Sequence, residues 1–127
     1  MSPANHAILA LLWSSSDDEG NGLYNYDPSE SLTAKVTAEW EDFREQAELM
    51  GFNPDEHIVM MLHPDNEGDA WNAVAHDFIL TRNGHGSGFW DSGRWEKPWG
   101  DRLTDLADSF GEIECFYDPD SDTVEPC

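Results

Sequence analysis

The sequence predicts an α+β fold in which a small antiparallel sheet, made of a hairpin over 76–91 and a strand over 112–117, is packed by three to four helices. Three observations carry that expectation. Val36, Trp40, Phe43, Ala47 and Met50 recur at spacings of four and three ahead of Gly51, the period of one face of a helix. Asn83-Gly84, followed by His85-Gly86, lies between two runs rich in aromatic and β-branched residues, the composition of a tight turn joining two strands. Ile113, Cys115 and Tyr117 alternate as one face of a strand does.

Taken in order, residues 7–13 are apolar throughout and fit either a buried strand or a short helix, closed by the polar turn 14–22. Asp27-Pro28-Ser29-Glu30 opens the long helix that Gly51 stops. Asn53-Pro54 starts a shorter helix reaching about residue 62, since proline suits a first turn. A further helix is expected over 67–75. Residues 76–82 have the composition of a strand, and 88–91 would be its return. Residues 101–110 place Leu103, Leu106, Ala107 and Phe110 on one side of a helix ended by Gly111. The tail 118–127, with Pro119, Pro126 and four acids, reads as loose.

Length and composition bound the function. A chain of 127 residues has room for one domain, 1–127, and 39% hydrophobic residues with six Trp and six Phe are enough to fold it. Against that stand 27 acids and six bases, a net charge of −21. Affinity for phosphates rests on Lys and Arg, so direct binding of nucleic acid is disfavoured, as is an anionic membrane surface. The partner such a field favours is a protein with a basic surface. No basic leader precedes residues 7–13, and that run is too short to span a bilayer, so a cytoplasmic location is expected. Cys115 and Cys127 form neither a disulfide framework nor a metal site by spacing, although a bridge between them is compatible with their separation. No established catalytic or cofactor motif is present, so no cofactor and no metal are expected.

The charge is patterned. Residues 1–75 carry 15 acids against two bases and 103–127 carry eight against none, while 76–102 balance four with four. Glu41, Glu45 and Glu48, with Asp42 beside them, fall at i, i+4 and i+7 on the long helix, opposite its apolar stripe. Asp101, Asp105 and Asp108 repeat the spacing on the last helix. Each step of four residues rises about 6 Å, of the order of the spacing of phosphates along a nucleic-acid strand. These seven carboxylates are the candidate partner-binding surface. Two plainer readings compete: the solvated side of amphipathic helices, and adaptation to high salt. Like charges at i, i+4 destabilise a helix by a few tenths of a kcal/mol per pair, which weakens the first.

The neutral block H-D-F-I-L-T-R-N-G-H-G-S-G-F-W-D, residues 76–91, is the second candidate. It gathers His76, Asp77, Arg82, Asn83, His85 and Asp91 in one expected hairpin. Two histidines with an aspartate can act as acid and base or hold a metal, and a glycine-rich turn with Arg82 can hold an anion. The alternative is a structural hairpin whose Asp and Arg tie loops down. Trp71, Trp90, Trp95 and Trp99 suit a core, unless Trp95 and Trp99 stand exposed as an interface.

This block, with L-W-S-S at 12–15, D-D-E at 17–19 and G-D-R-L-T at 100–104, resembles a family of small uncharacterised proteins of phages and mobile elements. The resemblance implies a phage origin and a bacterial host cytoplasm, and transfers no catalytic residue. Residues 92–99, with W-E-K-P-W, depart from that family's brief glycine-rich link. By charge the chain is similar to phage DNA mimics that inhibit restriction, CRISPR or DNA-repair proteins. The reading is a non-enzymatic inhibitor of a host DNA-binding or nucleic-acid-handling protein. The alternatives are a small enzyme or nucleotide- or metal-binding module using the 76–91 hairpin, and an accessory or homodimeric phage protein whose charge serves solubility alone.

Overall fold

Pro3 occupies a first helical turn, where its missing N–H has no intrahelical partner to lose, and the Ser2 hydroxyl before it accepts from the Asn5 amide at 3.2 Å. These two residues decide the type left open over 7–13: helix α1 runs Pro3–Ser14 and buries Ala7, Ile8, Ala10, Leu11 and Leu12. The computed structural model describes residues 2–16, 20, 22–57, 70–84, 88–89 and 95–127.

After a 3₁₀ turn at Leu23–Asn25 comes a two-residue strand, β1, Asp27–Pro28. Ser29 then caps α2, Glu30–Leu49, by accepting from the Leu32 amide at 3.0 Å. Leu32, Val36, Trp40, Phe43 and Ala47 are the buried row of α2. The expected stripe is one turn too long, because Met50 is 43% exposed and Gly51, at φ 95°, turns the chain away. Helix α3 is Pro54–His57; the rest of the helix expected to about residue 62 lies outside the described residues.

The largest correction concerns the hairpin over 76–91. Residues 76–83 are the second half of a helix, α4, Ala70–Asn83, and residues 67–69, where a helix was expected to begin, lie outside the described residues. Almost the whole circumference of α4 is buried, from Ala70 to Leu80 and Arg82, with only His76, Thr81 and Asn83 partly exposed. A helix apolar on all sides carries no period to separate it from a buried strand. The Asn83-Gly84 signal was equally ambiguous. Gly84 adopts φ 67°, and a helix end uses positive φ as readily as a hairpin does. The chain folds back onto α4, with the Phe89 amide donating to Thr81 Oγ1 at 2.9 Å. A Cβ on Gly88 would lie 2.2 Å from that hydroxyl oxygen, so only glycine fits. Residues 85–87 and 90–94, which include most of the expected return strand, lie outside the described residues.

Helix α5, Trp99–Asp108, buries Leu103 and Ala107, and Gly111 at φ 75° follows its end. Strands β2, Cys115–Asp118, and β3, Thr123–Pro126, complete the sheet in the order β1-β3-β2. β2 pairs antiparallel with β3, Cys115 opposite Pro126, and β1 pairs parallel with it, Asp27 opposite Thr123. The α+β class holds, with a small sheet packed by helices, but the sheet is mixed and not purely antiparallel. The tail 118–127 is not loose either, since it supplies the central strand. Val124 is fully buried there and its carbonyl accepts from the Ser29 amide at 2.9 Å. Asp122 at φ 56° makes the turn, and its carboxylate accepts from the Tyr117 hydroxyl.

Rings join the helices. Phe43 meets Phe78 at 4.4 Å between centroids, Phe89 at 5.6 Å and Phe110 at 6.0 Å, while Phe52 gathers Trp71, Trp95 and Trp99 within 5.7 Å. Across this core lies the buried Arg82. Its Nε donates to the Gly111 carbonyl at 2.7 Å, and its Nη2 to Glu39 Oε1 at 2.8 Å and the Phe110 carbonyl at 3.3 Å. Replacing Arg82 with Ala strands these acceptors and is expected to cost about 3 kcal/mol in urea unfolding. Exposed Arg102→Ala, the control, loses a contact with the Trp99 ring, 5.2 Å from its guanidinium, and should change stability by less than about 1 kcal/mol.

Candidate functional site

The helical period of α2 turns Leu32, Val36, Trp40, Phe43 and Ala47 inward, and so turns Glu41, Asp42, Glu45 and Glu48 outward; all four acids are exposed. In α5, burial of Leu103 and Ala107 leaves Asp101, Asp105 and Asp108 exposed on the far side. Relief by cations is sparse. Arg44 Nε lies 3.2 Å from Glu48 Oε1, with its guanidinium 4.4 Å above the Trp71 ring, and Gln46 donates to Asp42 Oδ1 at 3.1 Å. Lys35 pairs with Glu39 at 3.6 Å. Glu41, Glu45, Asp101, Asp105 and Asp108 make no ion pair with another described residue. Surface pairs of this kind are worth less than about 1 kcal/mol, so the acidic field of both helices persists.

The residues of the second candidate are spread along α4 and its end. Asp77 is fully buried; Trp95 Nε1 donates to its Oδ2 at 2.8 Å and His76 Nδ1 lies 3.1 Å from its Oδ1. The Asn83 amide group pairs with both backbone groups of one residue: Nδ2 donates to the Ile113 carbonyl and Oδ1 accepts from the Ile113 amide, each at 2.9 Å. Arg82 reaches Glu39 and the end of α5 instead. Asp77, Arg82 and Asn83 thus hold other segments against α4, and of these four residues His76 and Asn83 are partly open to solvent. His85 and Asp91 lie outside the described residues. Among the described residues, no group of three or more His, Cys, Asp or Glu could hold a metal ion. Trp71, Trp95 and Trp99 are 9%, 5% and 7% exposed and belong to the core, while Trp90 lies outside the described residues.

Of two described histidines outside the block, one has an evident role. His57 accepts from the Asn53 amide through Nδ1 at 3.1 Å and lies between Phe52 and Trp99, so it pins α3 to the aromatic core. His6 has its pKa lowered, first by burial and then by the N-terminal charge and His76.

Sequence reasoning missed the exposed apolar residues. Leu49 is 81% exposed and Met50 43%, directly after the acid ladder of α2, and Leu9 and Trp13 stand 46% and 67% exposed on α1. The break of the α2 stripe at Gly51 was the available signal for the first pair. A cleft of about 340 Å³ lies between the end of α1 and β2, lined by Ser14, Ser15, Asn83, Glu112, Cys115 and Cys127, the last two being free thiols. Among the described residues, no helix is long and apolar enough to cross a membrane.

No known protein family, curated protein or solved structure matches the chain.

Burial pushes the Cys115 thiol up, with a hydrogen bond to Ser15 acting weakly the other way, whereas Cys127 is exposed. Since the thiolate is the reactive form, Cys115 should alkylate appreciably only above the ordinary thiol range of about 8.5. Iodoacetamide at pH 8, followed by peptide mass spectrometry, is expected to label Cys127 several-fold faster.

Proposed function

We propose that the chain binds the basic, nucleic-acid-contacting surface of a DNA-handling protein through the carboxylates of α2 and α5, and inhibits that protein without enzymatic chemistry. One observation carries this reading: every member of both ladders is exposed, and most make no ion pair with another described residue. A carboxylate row rising about 6 Å over four residues and about 4.5 Å over three presents negative charge near the spacing such a surface is built to meet. Association would be steered by the net charge of −21 and weakened by salt.

The catalytic alternative at 76–91 draws less support, because Asp77, Arg82 and Asn83 spend their hydrogen-bonding groups on holding the fold. The resemblance to phage proteins and to phage DNA mimics makes a host protein of DNA restriction, CRISPR defence or repair the proposed target class.

Capture from bacterial lysate on the immobilised chain tests the proposal. A retained DNA-binding protein should be released as salt rises from about 0.05 M to 0.5 M, where the screening length shrinks severalfold, and should be displaced by added duplex DNA. The Glu41→Lys, Glu45→Lys, Glu48→Lys variant should lose it. Retention unchanged by salt, by DNA and by charge reversal would overturn the reading.

A further inference from the structure

Two shallow troughs run along the outer face of α2 and meet at Glu41. One, of about 420 Å³, has Thr33, Ala34, Thr37 and Ala38 as its floor, with Glu30 and Glu41 at its ends. The other, of about 320 Å³, lies between Arg44, Leu49 and the carboxylates of Glu41, Glu45 and Glu48. Ala34 and Ala38 are exposed, as is Leu49 at 81%, so this face combines an apolar floor with an acidic rim. From Glu30 to Glu48 it extends about 27 Å at 1.5 Å per residue.

We infer that this face of α2 docks an amphipathic basic helix of a partner protein, with the partner's apolar ridge against Ala34, Ala38 and Leu49 and its Lys or Arg side chains beside Glu30, Glu41, Glu45 and Glu48. The inference rests on the proposed function and narrows it, since it makes α2 the docking face and gives the partner an apolar ridge as well as charge. Small side chains let a second helix approach closely, with its ridge seated between rows of side chains four apart. Thr33, Thr37, Glu41, Glu45 and Leu49 form one such row, and Glu30, Ala34 and Ala38 the next. Long cationic side chains suit the rim because their alkyl stems cover apolar floor while their charged ends reach carboxylates. Charge decides against a second copy of the chain as occupant, since two faces bearing Glu30, Glu41, Asp42, Glu45 and Glu48 repel each other. The face is neutralised at one end alone, where Arg44 pairs with Glu48 at 3.2 Å; Lys35 is turned to Glu39, and Glu41 and Glu45 make no ion pair with another described residue.

Two labelled synthetic helical peptides of about 18 residues, the length that covers 27 Å, serve as probes. They share the same number of lysines. One carries leucines along a single face, and the other has serines in their place. Fluorescence anisotropy at low salt is expected to show the leucine peptide binding more tightly. Leu49→Ser and Ala38→Gln, both at exposed sites, should weaken that peptide about fivefold to tenfold and leave the serine peptide unchanged. Neutralising α2 with Glu41→Gln, Glu45→Gln and Glu48→Gln should weaken both peptides more than neutralising α5 with Asp101→Asn, Asp105→Asn and Asp108→Asn. If Leu49→Ser and Ala38→Gln bind both peptides like the parent while the charge variants do not, the apolar docking is wrong and the charge-based reading survives. If the α5 variant weakens binding as much as the α2 variant, docking is not on α2. If no charge variant matters, both readings fall. Sedimentation of the parent as a dimer that Leu49→Ser dissociates would assign the face to a second copy and overturn the inference.

Discussion

Burying the guanidinium of Arg82 removes one of only six bases from the surface of a chain with 27 acids, and takes a cation out of water at a cost of several kcal/mol. What offsets that cost is geometry. A carboxylate on α2, two carbonyls past the end of α5 and the faces of Phe78 and Phe110 all converge on one side chain of α4. The acceptors at Phe110 and Gly111 are carbonyls at the end of a helix, where backbone partners run out and a cation is favoured. One side chain therefore sets α4 against α2 and against the end of α5. Both acid-bearing helices take their orientation from it, and the exterior is left with even less to relieve its charge.

The same logic explains why α4 looks chemically rich. A helix buried on nearly all sides is expected to be apolar, yet α4 carries Asn72, Asp77 and Arg82 inside. A buried polar group is favoured where it is satisfied, and α4 meets this in part, since Asn72 Oδ1 and Arg82 Nη1 are buried without a hydrogen-bond partner among the described residues. Asp77 accepts from the Trp95 indole, and Asn83, at the rim, offers its amide group to Ile113 as a neighbouring strand would. In each case the segment held has no regular structure of its own: Trp95 lies between helices, and residues 111–114 connect α5 to β2. Side chains that resemble a catalytic set in the sequence are what a small protein uses to fasten irregular backbone to its central helix.

Outside that core the charge has been left to solvent. Carboxylates at i, i+4 repel one another, and the few intrahelical pairs, Arg44 with Glu48 and Lys35 with Glu39, relieve only part of it. α2 tolerates this because Leu32, Val36, Trp40, Phe43 and Ala47 bury its inner side. Packing on one face carries the cost of repulsion on the other, which is how a helix with that many acids remains folded and exposes its alanines and Leu49 among them.

How much of this was legible depends on whether a residue's neighbours lie nearby in the chain. The periodicity of α2 and α5, the glycine stops at Gly51 and Gly111, the α+β class and the outward placement of Glu41, Asp42, Glu45, Glu48, Asp101, Asp105 and Asp108 follow from the sequence, since the helical period fixes which side chains share a face. The type of the N-terminal element stayed open between strand and helix over 7–13, although Ser2-Pro3 carried the local signal for a helix. Residues 76–83 were not, because a wholly buried helix and a buried strand share a composition and Asn83-Gly84 ends either. Nor was the strand Thr123–Pro126, whose single buried valine finds its place only beside Asp27–Pro28 and Cys115–Asp118, strands distant in sequence or useless alone. The sequence by itself determined which faces are apolar and where the charge lies. Only the tertiary structure decided that Asp77, Arg82 and Asn83 are fastenings, because their partners, 18 to 43 residues away, are chosen by packing and not by local period.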